Sequence, residues 1–326
     1  MKTSSPKELP PPYEPPKFGF LSYLPTSWVP YAQLMRLDKP GGYYAFVFPY
    51  WIGLGYGASI ALHPPTVWFL LSRAWLLSAA CIFLRGAACT WNDNIDQDLD
   101  RLVARCRNRP IARGAVSTTA GHVFTATQTA VGSAAFFLLP RICILDAIPI
   151  TALFALYPFG KRFTNYPQAI LGFPFAFGIV LACHSIHVNP FALEPKGLLW
   201  STIALVFANV FWTMVYDTIY AHQDREDDEK AGVKSMAVRF KESTKLLCSG
   251  LSIIIVALLA TVGFLAKLGW IYYVVGVGGV MVSLGTMISA VNLTVPASCM
   301  WWFKWGFWYV GGMLLGGLLL QWSSRI

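Results

Sequence analysis

The segment Asn92-Asp93-Asn94-Ile95-Asp96-Gln97-Asp98-Leu99-Asp100 comes directly after an apolar run from Val67 to Trp91. On a helix, Asp93, Asp96 and Asp100 lie at i, i+3 and i+7, and therefore on one face. We call these three residues the first acidic row. A second acidic row, Asp217, Asp224 and Asp228, begins at the end of another apolar run and has the spacing i, i+7 and i+11. Each row is thus predicted to extend along one face at the end of an apolar helix.

Carboxylates this close together repel one another unless a cation neutralises them. Hard oxygen ligands at short spacing suit Mg²⁺, which usually keeps several waters and shares its remaining positions with substrate phosphates. We therefore expect the two rows to face each other at the mouth of a helical bundle. There they would bind Mg²⁺ and hold a diphosphate.

The composition is that of a membrane protein, because 56% of the 326 residues are hydrophobic and only 13% are charged. Apolar stretches of about 20 residues can cross the roughly 30 Å of hydrocarbon in a bilayer, and in lipid they must be helices. The sequence predicts an all-α integral membrane bundle of about nine transmembrane helices, near 41–62, 67–91, 119–140, 142–159, 167–187, 198–216, 246–266, 270–292 and 305–322.

The net charge of +9 is unevenly distributed. Most cations lie in the N-terminal segment and after the second, fourth and sixth apolar stretches, which an odd number of helices places on one face. By the positive-inside rule this face, with both acidic rows, is cytoplasmic or its equivalent. Because the cations alternate with acids, the pattern favours a metal–phosphate complex over nucleic acid. Nothing in the sequence predicts a protein partner, and the multi-pass chain is expected to contact membrane lipid.

The first 27 residues are rich in proline and are predicted to be a disordered N-terminal segment. They contain no signal peptide, and they lack the arginine-rich, acid-poor character of a mitochondrial transit peptide. Ser27 to Leu37 could form a short helix at the membrane interface. Residues 28–326 are expected to form one transmembrane domain.

Four stretches together resemble the UbiA superfamily of intramembrane aromatic prenyltransferases, in its 4-hydroxybenzoate polyprenyltransferase-like branch. They are Arg36-Leu37-Asp38-Lys39-Pro40; Asn92-Asp93-x-x-Asp96-x-x-x-Asp100 with Arg107-Asn108-Arg109-Pro110; Tyr157-Pro158-x-x-Lys161-Arg162; and Tyr216-Asp217 through Asp224 to Lys234-Ser235. These matches occur in the family's order and span residues 36 to 240. The chain also resembles fungal meroterpenoid prenyltransferases.

The resemblance implies an enzyme that transfers a prenyl group from an allylic diphosphate to an aromatic ring, with Mg²⁺ as cofactor. It implies that both acidic rows bind metal and act in catalysis, so that Asp93, Asp96, Asp100, Asp217, Asp224 and Asp228 would hold two Mg²⁺ on the diphosphate. It further implies that the substrates are bound by Arg36, Asn92, Arg105, Tyr157, Lys161 and Lys234.

Three arginines outside this set have simpler interpretations. Arg109 and Arg113 would anchor their loop to lipid phosphate. Arg85 lies within an apolar run, where a buried cation is costly and normally has a partner. We expect Arg85 to support the first acidic row from beneath.

A transporter is the alternative from another class, because transporters also use intramembrane acids and internal repeats. Its acids would lie near the bilayer midplane, whereas these lie at helix ends on one face. A UbiA-type terpene cyclase and a protohaem farnesyltransferase are less compatible with the second motif.

The aromatic acceptor separates two enzyme interpretations. One is a 4-hydroxybenzoate polyprenyltransferase of ubiquinone synthesis in the mitochondrial inner membrane. The other attaches a shorter chain, such as farnesyl, to a polyketide-derived phenolic acid in secondary metabolism, in the endoplasmic reticulum with the site on the cytoplasmic face. Gly41-Gly42-Tyr43-Tyr44 departs from the ubiquinone branch, and the missing transit peptide agrees with this departure. We therefore favour the second interpretation.

Overall fold

A computed structural model describes residues 13–193 and 197–326 of the chain. Within these ranges the regular structure is entirely helical. Its long helices are α1 (Pro40–Ile60), α2 (Val67–Ile95), α3 (Thr118–Ser133), α4 (Ile142–Phe163), α5 (Pro167–Ser185), α6 (Leu198–Ala221), α7 (Met236–Leu265), α8 (Tyr272–Ala290) and α9 (Pro296–Ser323).

Seven of these helices, α2 and α4 to α9, are long and apolar enough to cross a membrane. Helix α3 has only 16 residues before a 3₁₀ turn, Ala134–Leu138, continues it. Helix α1 has 21 residues, is rich in glycine, tyrosine and proline, and is not among the seven. The prediction of an all-helical membrane bundle is confirmed, whereas the exact count of nine crossings is not.

The bundle is organised around α1 and α6. Helix α1 packs against α2, α5 and α9, and helix α6 packs against α5, α7 and α9. Glycines allow the closest approaches, because a methyl group on Gly53 of α1 would lie 2.7 Å from the Ile179 Cα of α5. On the next interface, a methyl group on Gly172 of α5 would lie 3.0 Å from the Val210 Cα of α6. These contacts hold α1, α5 and α6 close together below the ends of α2 and α6 that bear the acidic rows.

The short helix Val29–Leu34 precedes the bundle, inside the stretch predicted to form an interfacial helix. Its Leu34 is fully buried and packs with Ile111 and Val116 from the segment after α2. The predicted disordered segment 1–27 falls partly on residues 1–12, which lie outside the described residues. Of the rest, Phe20–Tyr23 forms a 3₁₀ turn, and the Tyr13 ring lies 3.7 Å from the Arg113 guanidinium. The boundary between the two predicted units stays a prediction.

Candidate active site

A cavity of about 530 Å³ opens at the end of the bundle where α2, α4 and α6 end and α1 and α5 begin. Its outer part is charged. Its inner part is apolar and is lined by Ala45, Phe46, Phe154, Leu171, Phe175 and Phe303. Of the twelve residues predicted to form the site, eleven line this cavity: Arg36, Asn92, Asp96, Asp100, Arg105, Tyr157, Lys161, Asp217, Asp224, Asp228 and Lys234. A single chamber thus combines a charged mouth with an apolar interior.

Asp96 lies at the centre of the first acidic row. Its Oδ2 accepts hydrogen bonds from Lys161 Nζ at 2.6 Å and from Asn92 Nδ2 at 2.5 Å. The Asp96 side chain is only 1% exposed, and no described residue donates a hydrogen bond to its Oδ1. Lys161 reaches it from the last turn of α4, so the ion pair joins α4 to the end of α2. The Lys161 ammonium also lies 5.5 Å from the centre of the Tyr157 ring, one turn earlier on α4.

Asp93, the twelfth predicted residue, does not line the cavity. It is buried behind two arginines, with its Oδ1 2.6 Å from Arg36 Nη2 and 3.2 Å from Arg109 Nη1. Arg109 also binds Asp100 at 2.8 Å. Burial raises the pKa of the Asp100 carboxyl, and the Arg109 charge opposes that shift. The two arginines therefore separate Asp93 from the cavity.

Arg109 is a site residue that sequence reasoning missed. We interpreted it as a lipid anchor, yet its side chain is only 17% exposed and its partners are two carboxylates of the first row. That interpretation was wrong, because the loop after α2 folds back over the helix end instead of extending to lipid. The motif Arg107-Asn108-Arg109-Pro110 was the signal that could have identified it.

The second acidic row is held by Arg105, which comes from the loop after α2. The Arg105 guanidinium binds Asp224 with two bonds, Nε to Oδ1 at 2.8 Å and Nη2 to Oδ2 at 2.5 Å. Its Nη1 donates a third bond to the Tyr220 hydroxyl at 3.0 Å. Nearby, the Ala104 backbone N–H donates to Asp227 Oδ2 at 3.0 Å. The loops after α2 and α6 are therefore joined over the cavity mouth.

The other residues of the second half of the site have fewer partners. No described side chain forms a hydrogen bond or ion pair with Asp217, which lines the cavity near the end of α6. Burial raises the pKa of Asp228 to about 7, and the charge of Asp224 adds to this effect. Lys234 is exposed at the mouth, and its backbone N–H donates to the Lys161 carbonyl at 2.9 Å. The nearby cations Arg105 and Lys161 pair with Asp224 and Asp96 instead of with Asp217 and Asp228.

Arg85 supports the first acidic row only indirectly. Its Nη1 and Nη2 donate to the backbone carbonyls of Arg36 and Lys39, at 3.0 and 2.6 Å. These bonds hold the turn that leads into α1, where Arg36 has a φ of 57°. A residue other than glycine is uncommon in this left-handed conformation. Arg85 thus positions the backbone of Arg36, and Arg36 in turn binds Asp93.

The donor set fits magnesium in its chemistry. Carboxylates supply the hard oxygens that Mg²⁺ prefers, and the buried Asp96 Oδ1 is left without a donor at the cavity wall. Within residues 13–193 and 197–326, no three His, Cys, Asp or Glu side chains come close enough together to hold a metal ion. Three of these carboxylates are instead paired with cations: Asp96 with Lys161, Asp100 with Arg109 and Asp224 with Arg105.

Comparisons with known proteins agree with this architecture. Residues 46–323 match the UbiA prenyltransferase family. The prenyltransferase ascA of Acremonium egyptiacum is 43% identical over 284 residues, which cover 87% of this chain and 83% of ascA. The DMOA farnesyltransferase nvfB of Aspergillus novofumigatus is 43% identical over 261 residues, 79% of this chain and 80% of nvfB.

Two solved structures share the fold. A UbiA homologue from Aeropyrum pernix has a TM-score of 0.66 at 23% identity, covering 84% of this chain and 97% of the homologue. A UbiA homologue from Archaeoglobus fulgidus, solved with GPP and Mg²⁺, has a TM-score of 0.64 at 21% identity, covering 90% of this chain and 99% of the homologue. By its sequence and its fold, the chain belongs to the UbiA prenyltransferase family and is an integral membrane enzyme that transfers prenyl groups.

Proposed function

We propose that this enzyme transfers a farnesyl group from farnesyl diphosphate to a polyketide-derived phenolic acid, with Mg²⁺ as cofactor, in meroterpenoid biosynthesis. The observation that carries the proposal is the division of one cavity into a mouth of alternating carboxylates and cations and an apolar, aromatic interior. Such a cavity suits a substrate that has a highly charged head and a long hydrocarbon tail.

The similarity to fungal enzymes supports secondary metabolism over ubiquinone synthesis. The relative nvfB is named a DMOA farnesyltransferase, and further relatives are named as polyprenyl transferases of fungi, such as ausN of Aspergillus calidoustus at 41% identity. We carry over from these names the kind of donor and the kind of pathway.

We propose that the twelve site residues together form the diphosphate site, eleven at the cavity wall and Asp93 behind it. Bound Mg²⁺ would neutralise the leaving diphosphate, and Asp96, Asp100, Asp217, Asp224 and Asp228 would hold the metal at the cavity wall. Lys161 and Arg105 would release their carboxylates and bind phosphate oxygens, since charge-assisted bonds to phosphate replace those to carboxylate at similar geometry. Asn92 would keep Asp96 oriented, Lys234 would close the mouth, and Arg36 would fix Asp93 behind the metal ligands.

The interior would protect the reaction. An allylic cation is consumed by water unless water is excluded before the aromatic ring arrives. Phe154, Tyr157 and Phe303 turn aromatic side chains toward the cavity, and the faces of such rings stabilise a cation. Because the Tyr157 ring lies next to the Lys161 ammonium, it would shield the allylic cation close to the departing diphosphate.

We further propose that the enzyme is a multi-pass protein of the endoplasmic reticulum with its site on the cytoplasmic face. The cations beside both acidic rows support this orientation, because positively charged loops stay on the cytoplasmic side. Targeting to the mitochondrial inner membrane is the alternative, and localisation of a tagged full-length chain would distinguish the two.

The test is a matrix of donors and acceptors with the purified full chain in lipid nanodiscs. We expect farnesyl diphosphate and an orsellinate-type phenolic acid to give a prenylated product and released diphosphate, and a metal chelator to abolish both. Prenylation of 4-hydroxybenzoate alone, together with restored ubiquinone synthesis in a strain that lacks this step, would instead establish the ubiquinone enzyme. Movement of a solute without release of diphosphate would identify a transporter.

A further inference from the structure

We propose that Tyr13, Gln33 and Arg113 form a cluster outside the cavity that positions Arg36 and Arg109, the two arginines that bind the first acidic row. We call these three residues the Gln33 cluster. They are positioning residues, because none of the three lines the cavity. The inference rests on the proposed function, since it takes the first acidic row to be part of the diphosphate site.

The cluster is centred on the Gln33 side chain. The Gln33 Oε1 accepts a hydrogen bond from Arg113 Nη2 at 3.0 Å, and the Gln33 Nε2 donates one to the Tyr13 hydroxyl at 3.1 Å. The Arg113 guanidinium also lies 3.7 Å from the centre of the Tyr13 ring. A cation this close to an aromatic face is attracted by the ring. Each member of the cluster therefore contacts the other two.

These contacts join three separate parts of the chain. Tyr13 lies in the N-terminal stretch, Gln33 lies in the short helix Val29–Leu34, and Arg113 lies in the loop after α2. The same loop carries Arg105 and Arg109, which bind carboxylates of the two acidic rows. The N-terminal stretch is thus fastened to the loop that supplies both arginines.

On one side, the cluster reaches Arg36 through the backbone of Gln33. The Gln33 carbonyl accepts a hydrogen bond from Arg36 Nη1 at 3.0 Å and another from the Arg36 backbone N–H, also at 3.0 Å. Arg36 Nη2 then lies 2.6 Å from Asp93 Oδ1. Because the Gln33 side chain is held by two partners, its carbonyl is held in the place from which it orients the Arg36 guanidinium.

On the other side, the cluster reaches Arg109 through the backbone of the loop. Arg113 Nη1 donates to the carbonyl of Asn108, and the Arg113 backbone N–H donates to the Arg109 carbonyl at 3.0 Å. The Arg109 side chain in turn binds Asp93 at 3.2 Å and Asp100 at 2.8 Å. Arg113 therefore restrains the backbone on both sides of the Arg109 Cα.

Both paths end at the first acidic row. Asp93 is the shared partner of Arg36 and Arg109, and Asp100 lies at the cavity wall. Residues that orient the side chains of a site typically change affinity or activity by about 10- to 100-fold when they are replaced. The Gln33 cluster touches no reacting atom, so its loss should act through the placement of the two arginines. The effect should therefore appear in the use of the donor and of Mg²⁺, and KM for the phenolic acid should stay the same.

The experiment compares Gln33→Leu and Tyr13→Ala with the wild type, each as the full chain in nanodiscs with saturating phenolic acid. In Gln33→Leu, we expect kcat/KM for farnesyl diphosphate to fall about tenfold or more, and the Mg²⁺ concentration for half-maximal turnover to rise. Tyr13→Ala should change both quantities in the same direction by a smaller factor, because Gln33 still binds Arg113.

Two conservative variants test whether the contacts themselves matter. Gln33→Glu keeps an oxygen that accepts from Arg113, and Tyr13→Phe keeps the ring under the guanidinium. Both should recover most of the wild-type kcat/KM for the donor. If they lose as much as Gln33→Leu and Tyr13→Ala, the side-chain contacts do not explain the effect and the inference fails.

Hydrogen exchange gives a readout that needs no turnover. In Gln33→Leu and Tyr13→Ala, amides in segment 108–116 should exchange faster, because the free energy of opening this segment falls when the cluster is broken. Amides in α7, which lies outside the cluster, should exchange as in the wild type. Unchanged exchange in segment 108–116 of both variants would overturn the inference.

Tyr23→Ala is the matched control, since it makes the same substitution in the same N-terminal stretch at a side chain that is 86% exposed. Its kinetics and its exchange should equal those of the wild type. An active wild type whose Gln33→Leu and Tyr13→Ala variants keep normal donor and Mg²⁺ dependence would overturn the inference and leave the proposed function intact. A wild type that prenylates no phenolic acid would overturn the proposed function, and the exchange of segment 108–116 would still decide whether the cluster holds the loop.

Discussion

Replacing Lys161 with alanine should separate the binding of diphosphate from the stability of the bundle. Lys161 Nζ lies 2.6 Å from Asp96 Oδ2, and the Asp96 side chain is 1% exposed. If Lys161 binds the diphosphate in the transition state, its loss should lower kcat/KM for the donor by about 10²–10³-fold, the usual effect of removing one hydrogen-bond donor that stabilises transition-state charge. Lys161→Arg should recover part of this, because it restores charge with a different fork geometry.

The same change leaves the Asp96 carboxylate buried without its cation. Breaking a fully buried pair costs about 3–5 kcal/mol, but Asn92 still donates to Asp96 and the Lys161 side chain is 21% exposed to the cavity. We therefore expect the free energy of unfolding to fall by about 1–3 kcal/mol. The double variant Lys161→Ala/Asp96→Ala should regain stability without regaining activity.

Arg162→Ala is the control, because it removes the neighbouring cation on the same helix. Its pair with Asp98 is exposed, at 39% and 60%, and should contribute less than about 1 kcal/mol. The assays are donor kinetics in nanodiscs and thermal unfolding of the same samples. If the kinetics of Lys161→Ala and Arg162→Ala agree within about twofold, or about 0.4 kcal/mol, then Lys161 does not bind the diphosphate and our assignment fails.

Three further predictions concern the metal, the acidic rows and the acceptor. Asp96→Ala and Asp224→Ala should each lower turnover by about 10²-fold or more, while both variants still show a cooperative unfolding transition. Glu226→Ala, at an exposed position, is the control. Near-normal turnover with unchanged Mg²⁺ dependence in both variants would disprove the two-row site. Mg²⁺ and a non-reactive diphosphate should bind cooperatively in calorimetry. Mg²⁺ alone would leave Lys161 and Arg105 without their carboxylates, and the diphosphate alone would leave Asp96 and Asp224 without their cations. Binding constants that do not depend on the other ligand would contradict this exchange of partners. In competition, an orsellinate-type acid should be prenylated in preference to 4-hydroxybenzoate, because two hydroxyls make its ring more nucleophilic, and the product ratio by mass spectrometry checks this.

Local patterns in the sequence predicted the features that depend on nearby residues. The end of each apolar run could be placed in this way, but the prediction of one continuous face was wrong. Helix α2 ends at Ile95 and α6 ends at Ala221, so each acidic row continues into a separate short helix. Sequence could not show that Arg36 lies 2.6 Å from Asp93, 57 positions away, since that contact depends on how the turn before α1 folds over α2. For the same reason, neither the carbonyl partners of Arg85 nor the burial of Asp93 could be predicted.

The hydropathy pattern predicted least where a helix or loop contains both polar and apolar packing residues. Helix α1 was predicted as a membrane span from its length, yet its glycines and tyrosines serve close packing and hydrogen bonding more than hydropathy. Gly53 admits the backbone of α5, and the Tyr56 hydroxyl donates to Ser201 on α6 at 2.8 Å. Arg109 was misassigned because a cation in a loop has the same local pattern whether the loop faces lipid or folds inward.

The bond from the Ala104 backbone to Asp227, together with the fork of Arg105 on Asp224, makes the two loops a single mechanical cover. Neither loop can swing away from the mouth without breaking the bonds that hold the other. If the donor enters and the diphosphate leaves through this mouth, as the proposed function requires, both steps share one opening event whose free energy is a property of both loops. Amide hydrogens in segments 101–109 and 222–233 should accordingly report one shared free energy of opening. That free energy should rise in both segments together when bound diphosphate replaces Asp224 as the partner of Arg105. Release of the diphosphate and binding of the next donor would then both depend on the same opening of the two loops.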